Sequence, residues 1–573
     1  MHEHILIIGG VAAGPKTACR LNRLNPEAQI TIVDQDNLIS YGGCGIPYYV
    51  SGDVSDEKEL RSTSFHAVRD INFFKEAKGV NVLTRTRAEA IDRKNRTVTV
   101  TSLDSGEQRQ LPYDKLVLTT GSTPNRPPVP GMDLPGVFTI SDMHQAIAIK
   151  DQLAKGKVGK AVVIGGGPIG IEMAESFGDL WGVDTTIIEL MPQILTRIVD
   201  PIFSKMLTHH LEKNGLHVFT DEMVMAIETD GEAYKVITNK QEISADIVVM
   251  AVGVHPRSDL AREAGLLVGP TGGIVVNERL QTSDPNIYSA GDCLEVTNLV
   301  SGKKGLAPFG SLANRQGRIV ADNLAGIPST FNGVINSFIM KAFDVCIGAT
   351  GLCLESALTE GFNAAAVITA QSDRAHFFPT QAIIPLQMVF DRTTRKVLGF
   401  QGFGPMGDSV LARLDAAAGL IAKGATVEDI INLEMAYAPP FATALDALNA
   451  TANVADNAIA GRLRTVSVEK FLEWMDNPAT EPDWIALDIR HPNEAGAFKE
   501  AFPDRWLTIP YVNIRSRASE IPEDKTMIII CDAGTRSYET QRYLDSINNP
   551  NSLVLGGGFN LMRRIKVNWW PDK

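Results

Sequence analysis

The stretch Ile5-Leu6-Ile7-Ile8-Gly9-Gly10-Val11-Ala12-Ala13-Gly14 decides the reading of this chain, and Ala161-Val162-Val163-Ile164-Gly165-Gly166-Gly167-Pro168-Ile169-Gly170 repeats its form. Four apolar residues running into glycines read as a short buried strand, with the glycine cluster as a tight turn into a helix. A second apolar run follows each helix: Ile30-Thr31-Ile32-Val33 ends at Asp34, and Thr185-Thr186-Ile187-Ile188 ends at Glu189. Strand, glycine turn, helix, strand and acid together make the βαβ unit that holds a dinucleotide. The glycines admit the pyrophosphate, the helix start faces it, and the acid takes the ribose hydroxyls. One glycine turn is a weak signal. Two full units, each with its acid 24 or 25 residues after the first glycine, are a strong one.

The two units differ. The middle glycine of the first is replaced by Val11, whose side chain is expected to crowd the pyrophosphate, whereas the second is complete. Glu189 is followed by Leu190-Met191-Pro192 with no arginine, so a 2′-phosphate would meet a like charge and NADH is favoured over NADPH. Val117–Pro124 and Val248–Pro256 are strand-to-loop returns of matching shape, and Thr282–Asp292 reads as a strand ending in Gly291-Asp292. A separate layer is expected over 328–450. The alanine- and asparagine-rich stretch 443–462 reads as a helical link to a last module.

The length of 573 residues allows several domains with their own cores. Lys+Arg 54 against Asp+Glu 67 leaves a net charge of −13, which disfavours nucleic acid or an anionic membrane as the main partner. Six scattered cysteines are too few for a disulfide scaffold, and with no Cys-x-x-Cys or Cys/His cluster no metal site is expected. The first strand begins too near residue 1 for a signal peptide, and no apolar run approaches the ~18–20 residues of a membrane span. A cytoplasmic protein is expected.

From about residue 3 to 450 the order of first glycine loop, Thr120-Gly121 return, second glycine loop and Ser289-Ala290-Gly291-Asp292 strand resembles the two-dinucleotide flavoprotein disulfide reductases. The resemblance implies FAD on Gly9, Gly10, Val11, Ala12, Ala13 and Gly14, with Asp34 on its adenosine ribose and Gln35 beside it. Thr120, Gly121 and Gly291 would line the flavin, and Asp292 would contact its ribitol and pyrophosphate. NADH would lie on Gly165, Gly167, Pro168, Ile169 and Gly170, with Glu189 on its ribose. A homodimer is implied, its third domain forming the interface and completing each active site. The expected boundaries are 1–112 with 256–327 for FAD, 113–255 for NADH, 328–450 for dimerisation, 451–464 as linker and 465–573 for the last module.

Cys44, in Ser40-Tyr41-Gly42-Gly43-Cys44-Gly45-Ile46-Pro47-Tyr48-Tyr49, stands where that family places its redox sulfur. Glutathione-reductase-type members carry Cys-x4-Cys, but the fifth residue after Cys44 is Tyr49. A single cysteine must work through a sulfenate, a persulfide or a mixed disulfide with substrate. This is the branch of NADH peroxidases, NADH oxidases and coenzyme A-disulfide reductases. Peroxidase and oxidase members carry a histidine where this chain has Ala12, and the Ser-x3-Cys-x2-Pro-Tyr pattern looks like the coenzyme A-disulfide reductases. Lys16, Arg20 and Arg23, spaced i, i+4, i+7, fall on one helix face able to grip the phosphates of coenzyme A. Ser40 matches a substrate-contacting position. Tyr437, in Tyr437-Ala438-Pro439-Pro440-Phe441, matches the tyrosine that reaches the partner subunit's cysteine and would donate a proton to the departing sulfur.

Beyond residue 465 the pattern changes. Trp484–Arg490 is a strand ending in Asp-x-Arg, and Met527–Ile530 is a buried strand running into Cys531-Asp532-Ala533-Gly534-Thr535-Arg536-Ser537 and a helix. Gly556-Gly557-Gly558-Phe559 follows. This module resembles a rhodanese domain, whose active loop is Cys-x-x-Gly-x-Arg-Ser. A cysteine between a strand end and a helix start is expected to face several backbone N–H groups and a positive dipole end, which favour a persulfide anion. Arg536 adds a cation that Asp532 partly offsets.

The fold expected is therefore α/β: two Rossmann-like domains for FAD and NADH, an α+β dimerisation domain and a C-terminal α/β rhodanese domain. The leading functional expectation is NADH-dependent reduction of persulfides or polysulfides, coenzyme A persulfide included, to thiol and hydrogen sulfide through Cys44 and Cys531. Coenzyme A-disulfide reduction with NADH oxidase side activity is the alternative. A sulfur-carrier or redox-sensing scaffold is a third reading.

Overall fold

The computed structural model describes residues 3–231 and 233–571 and divides the chain into two compact units. The first comprises residues 1–192 and 215–334. It holds the same architecture twice. In one parallel sheet the strands lie in the order Ile287–Ser289, Lys115–Leu118, His4–Ile8, Gln29–Val33, Asn81–Leu83. In the other the order is Val137–Phe138, Ile247–Met250, Lys160–Ile164, Asp184–Ile188, His217–Phe219. Each glycine-turn strand is central, between the strand that ends in the acid and the return strand. Burial on both faces explains the continuous apolar runs, as a parallel sheet covered by helices requires. Each half also carries a three-stranded antiparallel sheet, over residues 86–112 and 224–245. The two returns have matching shapes for a simple reason: Ser122–Pro124 and Val254–Pro256 pair with each other, antiparallel.

The second unit comprises residues 193–214 and 335–573. An antiparallel sheet of five strands runs Phe338–Ala342, Val345–Gly351, Val397–Pro405, Ile383–Asp391, Ala364–Ser372. Helix Asp408–Ile421 packs on its middle strands; a Cβ at Gly402 would stand 2.7 Å from Val410 Cγ1, so glycine there sets the close approach. The last module is a parallel five-stranded sheet in the order Thr465–Val466, Ser552–Leu555, Thr526–Ile530, Trp484–Asp488, Trp506–Thr508. Asp488 and Arg490, the ends of the Asp-x-Arg pattern, are both fully buried and form an ion pair at 2.7 Å, with Arg490 stacked 3.8 Å from the centre of the Phe559 ring.

Three expected boundaries shift. Lys115–Leu118, expected on the NADH side of residue 112, is a central strand of the first sheet, because its partners His4–Ile8 and Ile287–Ser289 lie there. Residues 193–214 group with the second unit; Asp200 is the anchor, accepting from Gln401 Nε2 at 2.7 Å and from the backbone N–H of Leu354 at 3.0 Å. The expected linker 451–464 begins inside helix Ala447–Ile459, whose Ala452 and Ala455 are fully buried and whose Thr451 hydroxyl meets that of Thr369 at 2.8 Å. Among the described residues no helix is long and apolar enough to cross a membrane.

Candidate active site

Both glycine loops are closed by the same hydrogen bond. The N–H of Gly10 donates to Asp34 Oδ2 at 2.6 Å, and that of Gly166 donates to Glu189 Oε2 at 2.6 Å. The second oxygen of each carboxylate accepts a following backbone N–H, from Asp36 and from Met191. Gly9 and Gly165 have φ of +113° and +111°, and a Cβ on either would collide with a carbonyl oxygen of the return strand at 2.1 and 2.4 Å. Gly14 and Gly170 let the helix sit on the turn, since a Cβ would fall 2.0 Å from the carbonyl of Gly9 or Gly165. At Gly167 a Cβ would meet nothing within 4 Å. That open space is what a pyrophosphate needs, so the complete loop fits a dinucleotide. In the first loop Val11 and Ala12 are half-buried and Ala13 starts the helix Ala13–Leu24.

Asp34 is raised from the ordinary carboxylate range by burial, against the N–H groups of Asp36 and Gly10. Gln35 is exposed beside it. Burial likewise raises Asp292, whose partner is the Ser122 hydroxyl at 3.2 Å, and Gly291 has φ +87° and donates to Gln316 Oε1. Thr120 and Gly121 lie half-buried at the return, Gly121 with φ +72°. A half-buried, sparsely bonded carboxylate beside the return of the first sheet suits the hydroxyls of a flavin ribitol. Pro168 opens the second loop's helix and Ile169 stands 46% exposed at its start, an apolar surface for a nicotinamide.

Cys44 is exposed in a one-turn segment, Gly43–Gly45, ahead of helix Ile46–Ser51. Ser40, buried and at φ +51°, donates its N–H to the Gly10 carbonyl and turns the chain from the first loop toward the cysteine. A Cβ at Gly310 would lie 3.4 Å from Cys44 Sγ, so the sulfur stands at the first turn of the fifteen-residue helix Gly310–Leu324. The N-terminal turn of a helix carries about half a positive charge, which favours an anion placed there. Helix Pro168–Gly178 runs beside the cysteine helix: Ser176 Oγ donates to Pro47 O at 2.9 Å and Trp181 Nε1 to Val50 O at 2.8 Å. Glu172 lies one turn before Ser176 on this helix, and the Tyr48 phenol feels both its charge and that of Cys44. Burial, then Glu175, raises the Glu172 carboxyl to about 7; burial, then Glu172, raises Tyr48 to about 12.

Of the three expected cations on the first helix, two stay together. At about 100° per residue, Arg23 lies about 20° from Lys16, whereas Arg20 lies about 40° to the other side. Arg20 is drawn to Asp322 at 2.8 Å, on the helix Gly310–Leu324. Lys16 and Arg23 instead gather with Lys78 and Arg69 around Cys19, whose thiol burial raises and these four cations lower. Arg69 also donates to Leu60 O at 3.1 Å, and Leu60 O accepts the N–H of Gly42, two residues before Cys44. Lys78 and Arg69 carry no local sequence signal; only the fold brings them to the helix.

In the second unit Tyr437 is 52% exposed, on a loop where Pro439 O accepts the Ala375 N–H; Phe377 and Phe441 are exposed there too. Cys531 is buried, and the structure aims one N–H at its sulfur, that of Gly534 at 3.1 Å, where several were expected. Arg536 does not stand free as an added cation. It holds Asp532 at 2.5 Å, and Arg563, unforeseen because it comes 31 residues later, holds the other oxygen at 3.1 Å. Among the described residues no cluster of metal-ligating side chains occurs, and all six cysteines are free thiols.

Residues 3–311 match the model of the pyridine nucleotide-disulphide oxidoreductases, and 338–448 match the dimerisation domain of the same family. The NADH oxidase of Methanocaldococcus jannaschii is 35% identical over 76% of this chain and 94% of its own. The NAD(P)H coenzyme A polysulfide/persulfide reductase of Pyrococcus horikoshii is 34% identical over 79% of this chain and 98% of its own. The solved structure of a NAD-dependent persulfide reductase from A. fulgidus is 36% identical, covers 97% of this chain and 99% of its own, and superimposes with a TM-score of 0.91. A match that runs through both nucleotide loops and the cysteine turn leaves one conclusion: the chain belongs to the pyridine nucleotide-disulphide oxidoreductase family and is an enzyme that works with FAD and NADH.

Proposed function

We propose that this enzyme reduces persulfides and polysulfides, coenzyme A persulfide among them, to thiol and hydrogen sulfide. The observation that carries the reading is an exposed, unpaired Cys44 at a helix start, linked through Leu60 and Arg69 to the cluster of Lys16, Arg23 and Lys78. A cluster of cations beside a redox sulfur suits a thiol carrier with phosphates at its far end. The persulfide reductases among the relatives support the same substrate.

Bound NADH and FAD supply the electron pair. Cys44 thiolate attacks the inner sulfur of the persulfide, hydrosulfide leaves, and a mixed disulfide joins Cys44 to the carrier. Hydrosulfide is a better leaving group than an ordinary thiolate, which favours persulfide over disulfide. The electron pair then cleaves the mixed disulfide, and Tyr437 of the partner subunit protonates the departing carrier thiolate. This assigns a homodimer, consistent with the dimerisation-domain match and the exposed aromatic loop. The module 465–573 is assigned as a rhodanese domain. Its parallel sheet, buried Cys531 and Gly534 N–H support that, and Cys531 accepts sulfane sulfur there. Six free thiols fit a reducing, cytoplasmic setting.

The test is anaerobic NADH oxidation with coenzyme A persulfide against coenzyme A disulfide, with sulfide measured. A tenfold preference for the persulfide, about 1.4 kcal/mol in the transition state, and its loss in Cys44→Ser, support the reading. Preference for the disulfide without sulfide release overturns it in favour of coenzyme A-disulfide reduction.

A further inference from the structure

The loop after Cys531 carries an acid immediately beside the nucleophile, and four charged side chains meet around it. Asp532 Oδ2 accepts from Arg536 at 2.5 Å and Oδ1 from Arg563 at 3.1 Å; Arg563 also reaches Glu494 at 3.5 Å and Asn560 Oδ1 at 3.3 Å. Two carboxylates and two guanidiniums sum to no net charge, and both cations are engaged. Asp532 is further fixed from behind: its carbonyl accepts the Asn560 N–H, and a Cβ at Gly558 would stand 2.5 Å from that same carbonyl.

We propose that Asp532, positioned by Arg536 and Arg563, is a specificity determinant that closes the Cys531 site to dianionic donors and keeps it for persulfides. This rests on the assignment of Cys531 as a sulfur acceptor. With a persulfide donor, the Cys531 thiolate attacks the outer sulfur. The new Sγ–S bond forms, the donor's S–S bond breaks, its electron pair leaves on the carrier sulfur, and the proton of the outer sulfur passes to it. Cys–S⁻ and R–SSH give Cys–SS⁻ and R–SH. With thiosulfate the same attack releases sulfite: Cys–S⁻ and S–SO₃²⁻ give Cys–SS⁻ and SO₃²⁻. That encounter gathers three negative charges beside Asp532, and the guanidiniums that could bind the sulfonate are held by carboxylates. A persulfide brings at most one charge to the reacting end, with any phosphates remote. Like charges brought together without free counter-charges are disfavoured, and more so where water is partly excluded.

The test uses the full-length, flavin-loaded protein with cyanide as sulfur acceptor, measuring kcat/KM for thiosulfate and for coenzyme A persulfide. In a double displacement kcat/KM for the donor reports the donor half-reaction alone. The ratio within one variant cancels losses of folded protein. Asp532→Asn is expected to raise the thiosulfate-to-persulfide ratio at least tenfold, and Glu494→Gln about threefold. Arg563→Gln, which leaves Asp532 less neutralised, is expected to lower it about threefold. Glu494 and Arg563 are 44% and 41% exposed, so their replacement spares the core and decides the matter even if Asp532→Asn fails to fold. An unchanged ratio, or one that moves the same way in Glu494→Gln and Arg563→Gln, overturns the proposal. Cys531→Ser separates the premise: if it transfers sulfur from coenzyme A persulfide at the wild-type rate, the sulfur-acceptor assignment itself fails.

Discussion

Replacing Glu172 by glutamine tests the electrostatics of the helix that packs on Ile46–Ser51. Glu172 sits one turn before Ser176 on the helix clamped to Pro47, and burial with Glu175 nearby raises its carboxyl from 4.5 to about 7. A folded-state value above the unfolded one means that Glu172 contributes stability fully below pH 4.5. That contribution is lost as pH rises through about 7, where the fold must hold an ionised carboxylate. At 1.36 kcal/mol per tenfold the whole effect is about 3 kcal/mol, most of it lost between pH 5 and 8.5. The replacing amide does not titrate. Urea unfolding of the flavin-loaded protein, followed through flavin fluorescence released from the first unit, gives the stability of each form at pH 5, 7 and 8.5. Glu172→Gln is expected to gain about 2–3 kcal/mol over wild type across that range, with most of the change between pH 5 and 7. Parallel profiles, differing by less than about 0.5 kcal/mol over the range, would mean that the carboxylate stays hydrated and ionised, and the account of the helix contact is wrong.

Neighbouring glycines of the second loop separate folding from binding. Gly167→Ala meets no protein atom within 4 Å, so the chain is expected to melt as wild type while KM for NADH rises tenfold or more. Gly170→Ala, with its Cβ 2.0 Å from the Gly165 carbonyl, is expected to lower Tm as well. Glu189→Ala is expected to weaken NADH and to raise the NADPH-to-NADH ratio of kcat/KM by tenfold or more; a wild-type preference for NADPH would refute the ribose assignment. Lys16→Ala and Arg23→Ala are expected to raise KM for coenzyme A persulfide by about tenfold, the loss of one charge-assisted hydrogen bond. Arg20→Ala, tied to Asp322, is expected to leave that KM within twofold and to cost about 1–3 kcal/mol of stability, measured by urea unfolding.

What the sequence disclosed is what short-range chemistry dictates. Gly9, Gly14 and Asp34 lie within one βαβ unit, and so do Gly165, Gly170 and Glu189; the hydrogen bonds that join acid to loop span 24 and 23 residues. The same holds for Cys44 in its turn and for the loop after Cys531. Hidden features depend on partners from far away. Arg20 is matched to Asp322 across 302 residues, and nothing near Arg20 announces it. Lys115–Leu118 reads as the start of the next domain until the pairing of Leu116 with Leu6 and Ile287 is known. The helix Ala447–Ile459 looked like a link because alanine and asparagine make a small, polar face. Yet small residues are what let it lie against the strand Ala364–Ser372, and Asn449 spends its amide on the carbonyls of Ile430 and Leu433. Composition reports the side chains, and only packing reveals what their size is for.

That helix bears on how the module 465–573, proposed above as a rhodanese domain, would operate. A module on a flexible link carries its nucleophile to a second site by swinging. Here the passage from the helix is only Ala460–Arg464, and the module is held to the antiparallel sheet by residues packed on the Cys531 loop. The carbonyls of Cys531 and Asp532 accept the N–H groups of Phe559 and Asn560. The Asn560 amide donates to Ala370 O at 3.2 Å, and Arg564 donates to Ile383 O at 3.0 Å while burial lowers its pKa. The loop of Cys531 is thus two hydrogen bonds, through Asn560, from the strand Ala364–Ser372, and three, through Asn560 and Arg564, from the strand Ile383–Asp391. Freeing it would break these two part-buried bonds to backbone carbonyls, at about 1–3 kcal/mol for each group left unpaired. Under the proposed function, a Cys531 anchored in this way would not deliver sulfur by moving, and a small carrier would have to take the sulfur from it. A thiol on a long flexible arm with phosphates at its far end meets that need, and it is the carrier that the cluster of Lys16, Arg23, Arg69 and Lys78 is suited to hold.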